Sequence, residues 1–288
     1  MSLINISNKS KNIDIFLNKN VVSILCATKK ECDDVFNMFY NIDKQDGYII
    51  IDDEIVFNKE KKINKFDDYF SFDYKNINNI DKKIFIINLC DDHFVDIDIE
   101  KYLIDINQLV KRIDGYILLI SNNFKNIFLV SDYICAYIDN HIVLQKDKTH
   151  FYDYPETIKV AKLIGYQNIF PISKIENNKI YIDELNVVFE KDNGELKDAN
   201  YIAIRREDFL IKGKENRYAI DIVDYYQKEN EILILFRYSR QRNIGPILQF
   251  ISMPINRKIK NITHLGVNKE DIVLLKWKQY LAYFVCLF

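Results

Sequence analysis

The stretch "SILCATKKECDDVFNMF", Ser23–Phe39, runs from a β-rich apolar segment directly into one of helical period. At such a junction several backbone N–H groups can close on a phosphate, a geometry that glycine alone tolerates well. This stretch has no glycine, and the whole chain has only 7. Its two cations, Lys29 and Lys30, read as solvated loop residues. A second concentration of chemistry-bearing types follows the run "IFIINLC". There Asp91, Asp92, His93, Asp96 and Asp98 carry the donors of a metal site, the ordinary alternative being a solvent-facing acidic loop. His93 and His141 stand singly, and a lone histidine is more often surface or hydrogen-bonded core than catalytic. Cys26, Cys32, Cys90, Cys135 and Cys286 have no C-x-x-C spacing, so they read as buried, reduced thiols.

The elements that must position these residues follow from periodicity. "NVVSILCA" is a strand-like run, and after it Cys32, Val35, Phe36, Phe39 and Tyr40 share one helical face. "DGYIIIDDEIVFN" reads as a hairpin. "KKIFIINLC" and "GYILLIS" are continuous apolar runs of the kind expected for strands buried on both faces, separated by the helix-period segment "IEKYLIDINQLVKRI". "FKNIFLVSDYICAYI" offers a helix leading into a strand, and "HIVLQ" a further short strand. This alternation predicts a doubly wound α/β domain with a mostly parallel sheet. After about residue 166 the texture changes. "KIYIDELNVVFE", "YIAIRREDFLI", "YAIDIVDYYQ", "NEILILFRYS" and "GPILQFISMPI" place strands every 10 to 15 residues with little helical pattern, which predicts an all-β domain in the form of a small barrel. The apolar tail "WKQYLAYFVCLF" reads as a last strand, a docking segment or a poorly ordered end.

Charge and composition exclude some partners. With 40 basic and 42 acidic residues the net charge is −2, which gives no electrostatic case for nucleic acid or an anionic membrane. No run reaches the roughly 18–20 apolar residues of a membrane span, and no charged leader precedes an apolar core, so a cytoplasmic location without membrane insertion is expected.

One segment carries a family resemblance. "SDYICAYIDNHIVLQKDKTHFYDYPETIKVAKLIGYQNIFP", with its landmarks Asp132, Gln145, Pro155, Ala161, Gly165 and Asn168, resembles the end of the ATP-binding subunit of ABC importers. Downstream, "YIAIRREDFLI" is similar to the IRPE-D signature of the TOBE domain, the OB-like barrel appended to importer ATPases, with Arg206 where the motif usually has proline. "VAKLIGYQNIFPISKI" and "VNKEDIVLLK" look most like the molybdate/sulfate branch. The resemblance implies an α/β fold: a truncated ABC-ATPase-like, P-loop NTPase-like domain over residues 1–165, then an all-β TOBE-like barrel over 166–288.

Carried onto this chain, the family's motifs are degenerate. Against G-x-x-x-x-G-K-[ST], the first glycine is replaced by Cys26, the second by Glu31, the lysine by Cys32 and the magnesium-binding hydroxyl by Asp33. Glu31 and Asp33 put negative charge where a triphosphate would sit. The strand that should end in Asp-Glu ends in Asn88-Leu89, which supply neither the anionic magnesium interaction nor a proton acceptor. Asn122 stands where the family has a γ-phosphate-contacting histidine. Between Phe57 and Ile84 only some 26 residues remain, too few for the helical subdomain and the LSGGQ signature; Asp73 aligns poorly with the glutamine loop.

The resemblance therefore implies a non-catalytic pseudo-ATPase with no catalytic or nucleotide-binding residues, no cofactor and no metal. Arg205 and Glu207 match the TOBE motif and are expected to brace the barrel against the ATPase-like domain, the ordinary alternative being a surface ion pair. The partners it implies are a second copy of the chain, a competent ABC ATPase subunit, or an oxyanion. The implied location is the cytoplasm, at the inner face of the membrane through a transporter. A working oxyanion-importer ATPase, a drifting non-functional duplicate, and an oxyanion-binding module using Lys212, Lys214, Arg217, Arg237, Arg240 and Arg242 are the alternatives.

Overall fold

Apolar runs of five or six residues become strands, and the segments of helical period between them become helices. The computed structural model describes residues 4–8, 13–17, 21–41, 47–51, 54–58, 63–64, 70–71, 84–94, 97–113, 115–191, 199–227, 231–241, 245–252 and 262–276. The fold is mixed α/β, rich in strands and with few helices. It divides into two units, Met1–Tyr152 and Asp153–Phe288.

The first unit runs β1 (Ile4–Asn8), β2 (Ile13–Leu17), β3 (Val21–Leu25), α1 (Lys29–Tyr40), β4 (Gly47–Ile51), β5 (Glu54–Asn58), β6 (Ile63–Asn64), β7 (Phe70–Ser71) and β8 (Ile84–Asn88). It continues through α2 (Ile99–Ile113), β9 (Tyr116–Ser121), α3 (Phe124–Val130), β10 (Tyr133–Ile138), β11 (His141–Asp147) and α4 (Lys148–Asp153). Two sheets result. One is antiparallel, in the order β2-β1-β4-β5-β6, and includes the expected β4–β5 hairpin. The other has the order β11-β10-β3-β9-β8-β7, parallel throughout except for the antiparallel pair β10–β11.

Residues of one parity from the parallel strands, among them Val22, Ile24, Ile86, Leu118 and Ile120, cluster with Cys32, Val35, Met38 and Phe39 of α1. Those of the opposite parity, such as Leu25, Phe85, Ile117, Leu119 and Ile134, are just as buried. A parallel sheet covered on both faces has this signature, and it explains why β8 and β9 read as unbroken apolar runs.

The second unit contains α5 (Ile158–Leu163), β12 (Asn168–Pro171), β13 (Lys174–Glu176), β14 (Lys179–Ile182), β15 (Val187–Glu190) and β16 (Tyr201–Ile204). After these come β17 (Phe209–Leu210), β18 (Tyr218–Gln227), β19 (Ile232–Tyr238), β20 (Leu248–Ser252), β21 (His264–Val267) and β22 (Val273–Leu275). They form three sheets, β12-β16-β22, β13-β14-β15 and β17-β21-β18-β19-β20. Alternate residues of all three meet in one core around Phe189, Phe209, Phe236 and Phe250. The division falls after Tyr152, upstream of the texture change expected at 165/166. The intervening segment is tied to the strands that follow, since the Lys276 N–H donates to the Glu156 carbonyl at 3.3 Å.

Scarce glycine is offset by asparagine. The two-residue hairpin loops Asp139-Asn140 and Asn177-Asn178 hold positive φ at both positions (52° and 63°, 45° and 64°), the type I′ pattern that matches strand twist. Gly165, at φ 103°, closes α5 in a Schellman turn, with the Tyr166 N–H on the Ala161 carbonyl and the Gly165 N–H on that of Lys162.

Among the described residues no helix is long and apolar enough to cross a membrane. Asp73, Asp96, Arg242 and the tail 277–288 lie outside the described residues.

Candidate functional site

The carboxyl ends of parallel strands, where the chain order of a sheet changes direction, are where α/β folds present ligand sites. Here β3 is flanked by β10 and β9, strands that come late in the unit, and β8 lies beyond β9. This order brings the segments after β3, β8 and β9 side by side. The Cys26 N–H donates to the Ser121 carbonyl at 2.9 Å and the Leu89 N–H to the Ile120 carbonyl at 2.8 Å. Three positions far apart in the sequence, Cys26–Asp33, Asn88–Leu89 and Asn122, thereby form one constellation.

Its centre is the start of α1. Thr28 is the N-cap, and its hydroxyl accepts the Glu31 N–H at 3.2 Å. The Glu31 carboxylate reaches back and accepts the N–H groups of Ala27 (2.7 Å) and Thr28 (3.1 Å), completing a capping box. Free N–H groups at a helix start are what would draw an anion. Here the chain's own carboxylate takes two N–H groups at this end, those of Ala27 and Thr28, and the Thr28 hydroxyl takes a third, that of Glu31. The signal was present in the sequence as the Thr-x-x-Glu spacing 28–31, but setting Glu31 against a glycine position hid its capping role.

The rest of the constellation is likewise closed on itself. Buried Asn88 donates from Nδ2 to Asp33 Oδ1 at 2.9 Å, and its Oδ1 accepts the Cys90 N–H at 3.1 Å. Leu89 is buried and presents no polar group. The Cys90 thiol lies 3.2 Å from Cys32 Sγ and 3.2 Å from Asn122 Oδ1, and the Asn122 N–H donates back to Cys90 Sγ at 3.4 Å. Contact with Cys26 and then burial hold the Cys32 thiol far above its ordinary value. Contact with Cys32 and then burial do the same for Cys90.

Lys29 and Lys30 are exposed, as expected, but they open α1 instead of lying in a loop, and the Lys29 ammonium pairs with Asp92 at the surface. The acidic segment after β8 forms a 3-10 turn, Asp92–Phe94, in which the Asp91 N–H donates to the Asn88 carbonyl and the Phe94 N–H to that of Asp91. Among the described residues no group of three or more histidines, cysteines and carboxylates is placed to hold a metal.

The landmarks of the resemblance act as structural ties. Asp132 Oδ2 accepts the Val21 N–H at 3.0 Å, which starts the β3–β10 pairing. Buried Asn168 donates to the carbonyls of Ile204 (3.2 Å) and Gln249 (2.9 Å) and accepts the Gln249 N–H at 2.8 Å. It thus stitches β12, β16 and β20. Arg205 is 8% exposed, unlike a surface ion-pair residue, and its guanidinium lies over the Tyr166 ring at 4.2 Å, a contact inside the second unit. Asp208 Oδ2 accepts the Arg205 N–H at 3.3 Å; burial, then the nearby Asp271 charge, push its carboxyl up to about 6. Exposed Glu207 borders an open groove that also holds Lys212, Lys214 and Glu215, so carboxylates stand among the cations there. Arg217 is spent on the carbonyls of Ile211 and Gly213.

No protein-family model matches the chain, and no curated protein matches it.

Proposed function

We propose that this chain is a non-catalytic relative of the ATP-binding subunit of a molybdate/sulfate-type ABC importer, a pseudo-ATPase unit joined to a TOBE-like, OB-like barrel, and that it acts as a regulatory or binding subunit. The observation that carries the reading is the Glu31 carboxylate seated on the Ala27 and Thr28 N–H groups at the start of α1. An incoming phosphate would have to displace this carboxylate and overcome its charge, with Asp33 adding repulsion of about 1 kcal/mol or more at close range. Support also comes from the replacement chemistry. Asn88 donates to Asp33, and Leu89 beside it is apolar, so the end of β8 carries neither of the two carboxylates that would organise magnesium and polarise water there. The chain's own side chains fill the frame, and its role in this reading is to bind rather than to hydrolyse. A second copy or a competent ATPase subunit is the partner, in the cytoplasm at the inner face of the membrane through a transporter.

Magnesium-ATP titrated calorimetrically into the full chain is the test. The reading expects no heat of binding in the micromolar range, and a one-site isotherm would overturn it. Molybdate, tungstate and sulfate in a thermal-shift experiment address the barrel separately, because a ligand that binds the folded form raises its melting temperature. A shift with one of them makes the binding role that of an oxyanion sensor; no shift with any leaves the protein partner as the occupant.

A further inference from the structure

Cys32 and Cys90 are 58 positions apart in the chain, yet their sulfurs are 3.2 Å apart. One thiol comes from the first turn of α1 and the other from the turn after β8. Cys32 is fully buried, whereas Cys90 is only half-buried, so the pair has one member in the core and one that solvent reaches. The Asn122 backbone N–H points at Cys90 Sγ while Asn122 Oδ1 accepts from the thiol, and contact with Cys32 and burial outweigh that N–H, so the thiol is held protonated until the pH is raised. Cys135 differs in access: it is fully buried in the sheet, where solvent does not reach its thiol.

We propose that Cys32 and Cys90 form a reversible oxidation site, with a small peroxide as oxidant and an intramolecular disulfide as product. Cys90, as thiolate, attacks one peroxide oxygen; the O–O bond breaks, leaving a sulfenic acid on Cys90 and hydroxide, which takes up a proton to become water. The Cys32 sulfur then attacks the Cys90 sulfur. The S–S bond forms, the S–O bond breaks, and the departing hydroxide leaves as water with the Cys32 proton. Two thiols lose two electrons in total and one peroxide gains two. The sulfurs need to close from 3.2 Å to about 2.05 Å, a small side-chain adjustment at this starting distance. The bond fastens the start of α1 to the turn after β8 and so locks the constellation in its closed form. This site is independent of the pseudo-ATPase reading.

Reduced full-length protein exposed to hydrogen peroxide, quenched by alkylation and digested without reductant, provides the test. The expected product is lighter by two hydrogens, returns to the starting mass with dithiothreitol, and yields one linked peptide pair containing Cys32 and Cys90. Its formation accelerates as pH rises, because burial and the sulfur contacts keep both thiols protonated at neutral pH. Cys135→Ser leaves the linked pair unchanged and Cys90→Ser abolishes it. The wild-type peptide map decides the matter even where a variant folds poorly. Linkage of Cys32 to Cys26, linkage between chains through Cys286, or progression to sulfinic acid without any linked pair would each overturn the proposal.

Discussion

At the scale of single residues, the carboxylate of Glu31 does two jobs: it caps α1, and by holding the Ala27 and Thr28 N–H groups it puts a negative charge where an anion would approach the helix start. Glu31→Ala removes half of the capping box, and a loss of about 1 kcal/mol in urea denaturation is expected. Glu31→Gln keeps a side-chain oxygen for the same N–H groups and is expected to lose clearly less. Equal losses in the two variants would show that charge, not the hydrogen bonds, sets the effect. Asp208 gives a pH-dependent counterpart. Its carboxyl is raised from 3.8 to about 6 in the fold, so the native state holds a proton that the unfolded chain releases earlier. Below pH 3.8 both states are protonated and there is no penalty; stability falls as pH climbs from there through about 6. Asp208→Asn keeps an acceptor for the Arg205 N–H and is expected to stabilise at neutral pH, by on the order of 1 kcal/mol once solvent screening is allowed for. Melting temperatures of the two proteins should converge at the acid end; a constant gap at all pH values would exclude titration as the cause.

At the scale of elements, local pattern carried most of what could be read. The hairpin β4–β5, the buried runs β8 and β9 and the regular strands after residue 166 follow from period and run length, as does the α1 face at Cys32, Val35 and Phe39; Tyr40, expected on that face, is exposed, and Met38 is buried instead. Two things were not legible. The order β10-β3-β9-β8 depends on pairings between strands distant in the chain, which no local period encodes, and that order brings Cys26, Asn88 and Asn122 together. The use of asparagine where glycine is usual was hidden by a composition in which asparagine is common everywhere, so scarce glycine spoke only about phosphate loops. One glycine the fold does require is Gly266 on β21. A Cβ there would lie 2.8 Å from the Glu215 carbonyl oxygen and 2.9 Å from the Gly213 carbonyl carbon, both backbone atoms that cannot swing aside. Gly266→Ala is expected to destabilise by about 1–3 kcal/mol, read as a lower denaturation midpoint at unchanged slope. An unchanged midpoint would mean that the crossing of β21 with the Gly213 turn is looser than these distances say.

At the scale of the whole molecule, the change of texture near residue 166 was visible because helix-period segments stop there, while the division after Tyr152 reflects spatial proximity between distant parts of the chain, of which the Lys276 to Glu156 hydrogen bond is one instance, and sequence does not display it. Each unit closes its own core. One cluster draws its residues from Val22 to Ile142, and the other, with Phe189, Phe236 and Phe250 fully buried, from Phe170 to Leu274. A strand-built unit of this size with a continuous core is large enough to be stable by itself, within the usual range of about 5–15 kcal/mol. The fragment Asp153–Phe288 is therefore expected to fold alone, with a β-type far-ultraviolet spectrum and a cooperative thermal transition. Its arginine–ring contact, Arg205 over Tyr166, and its Asn168 ties all lie inside the fragment, so nothing in the described second core needs the first unit to be completed. Starting the fragment at Gly165 instead removes Glu156, Thr157 and α5, and with them the Lys276 hydrogen bond and the Schellman turn that leads into β12. The shorter piece should melt lower than the longer one. If both melt alike, the division belongs nearer residue 166, and α5 contributes nothing to the stability of the strands that follow it.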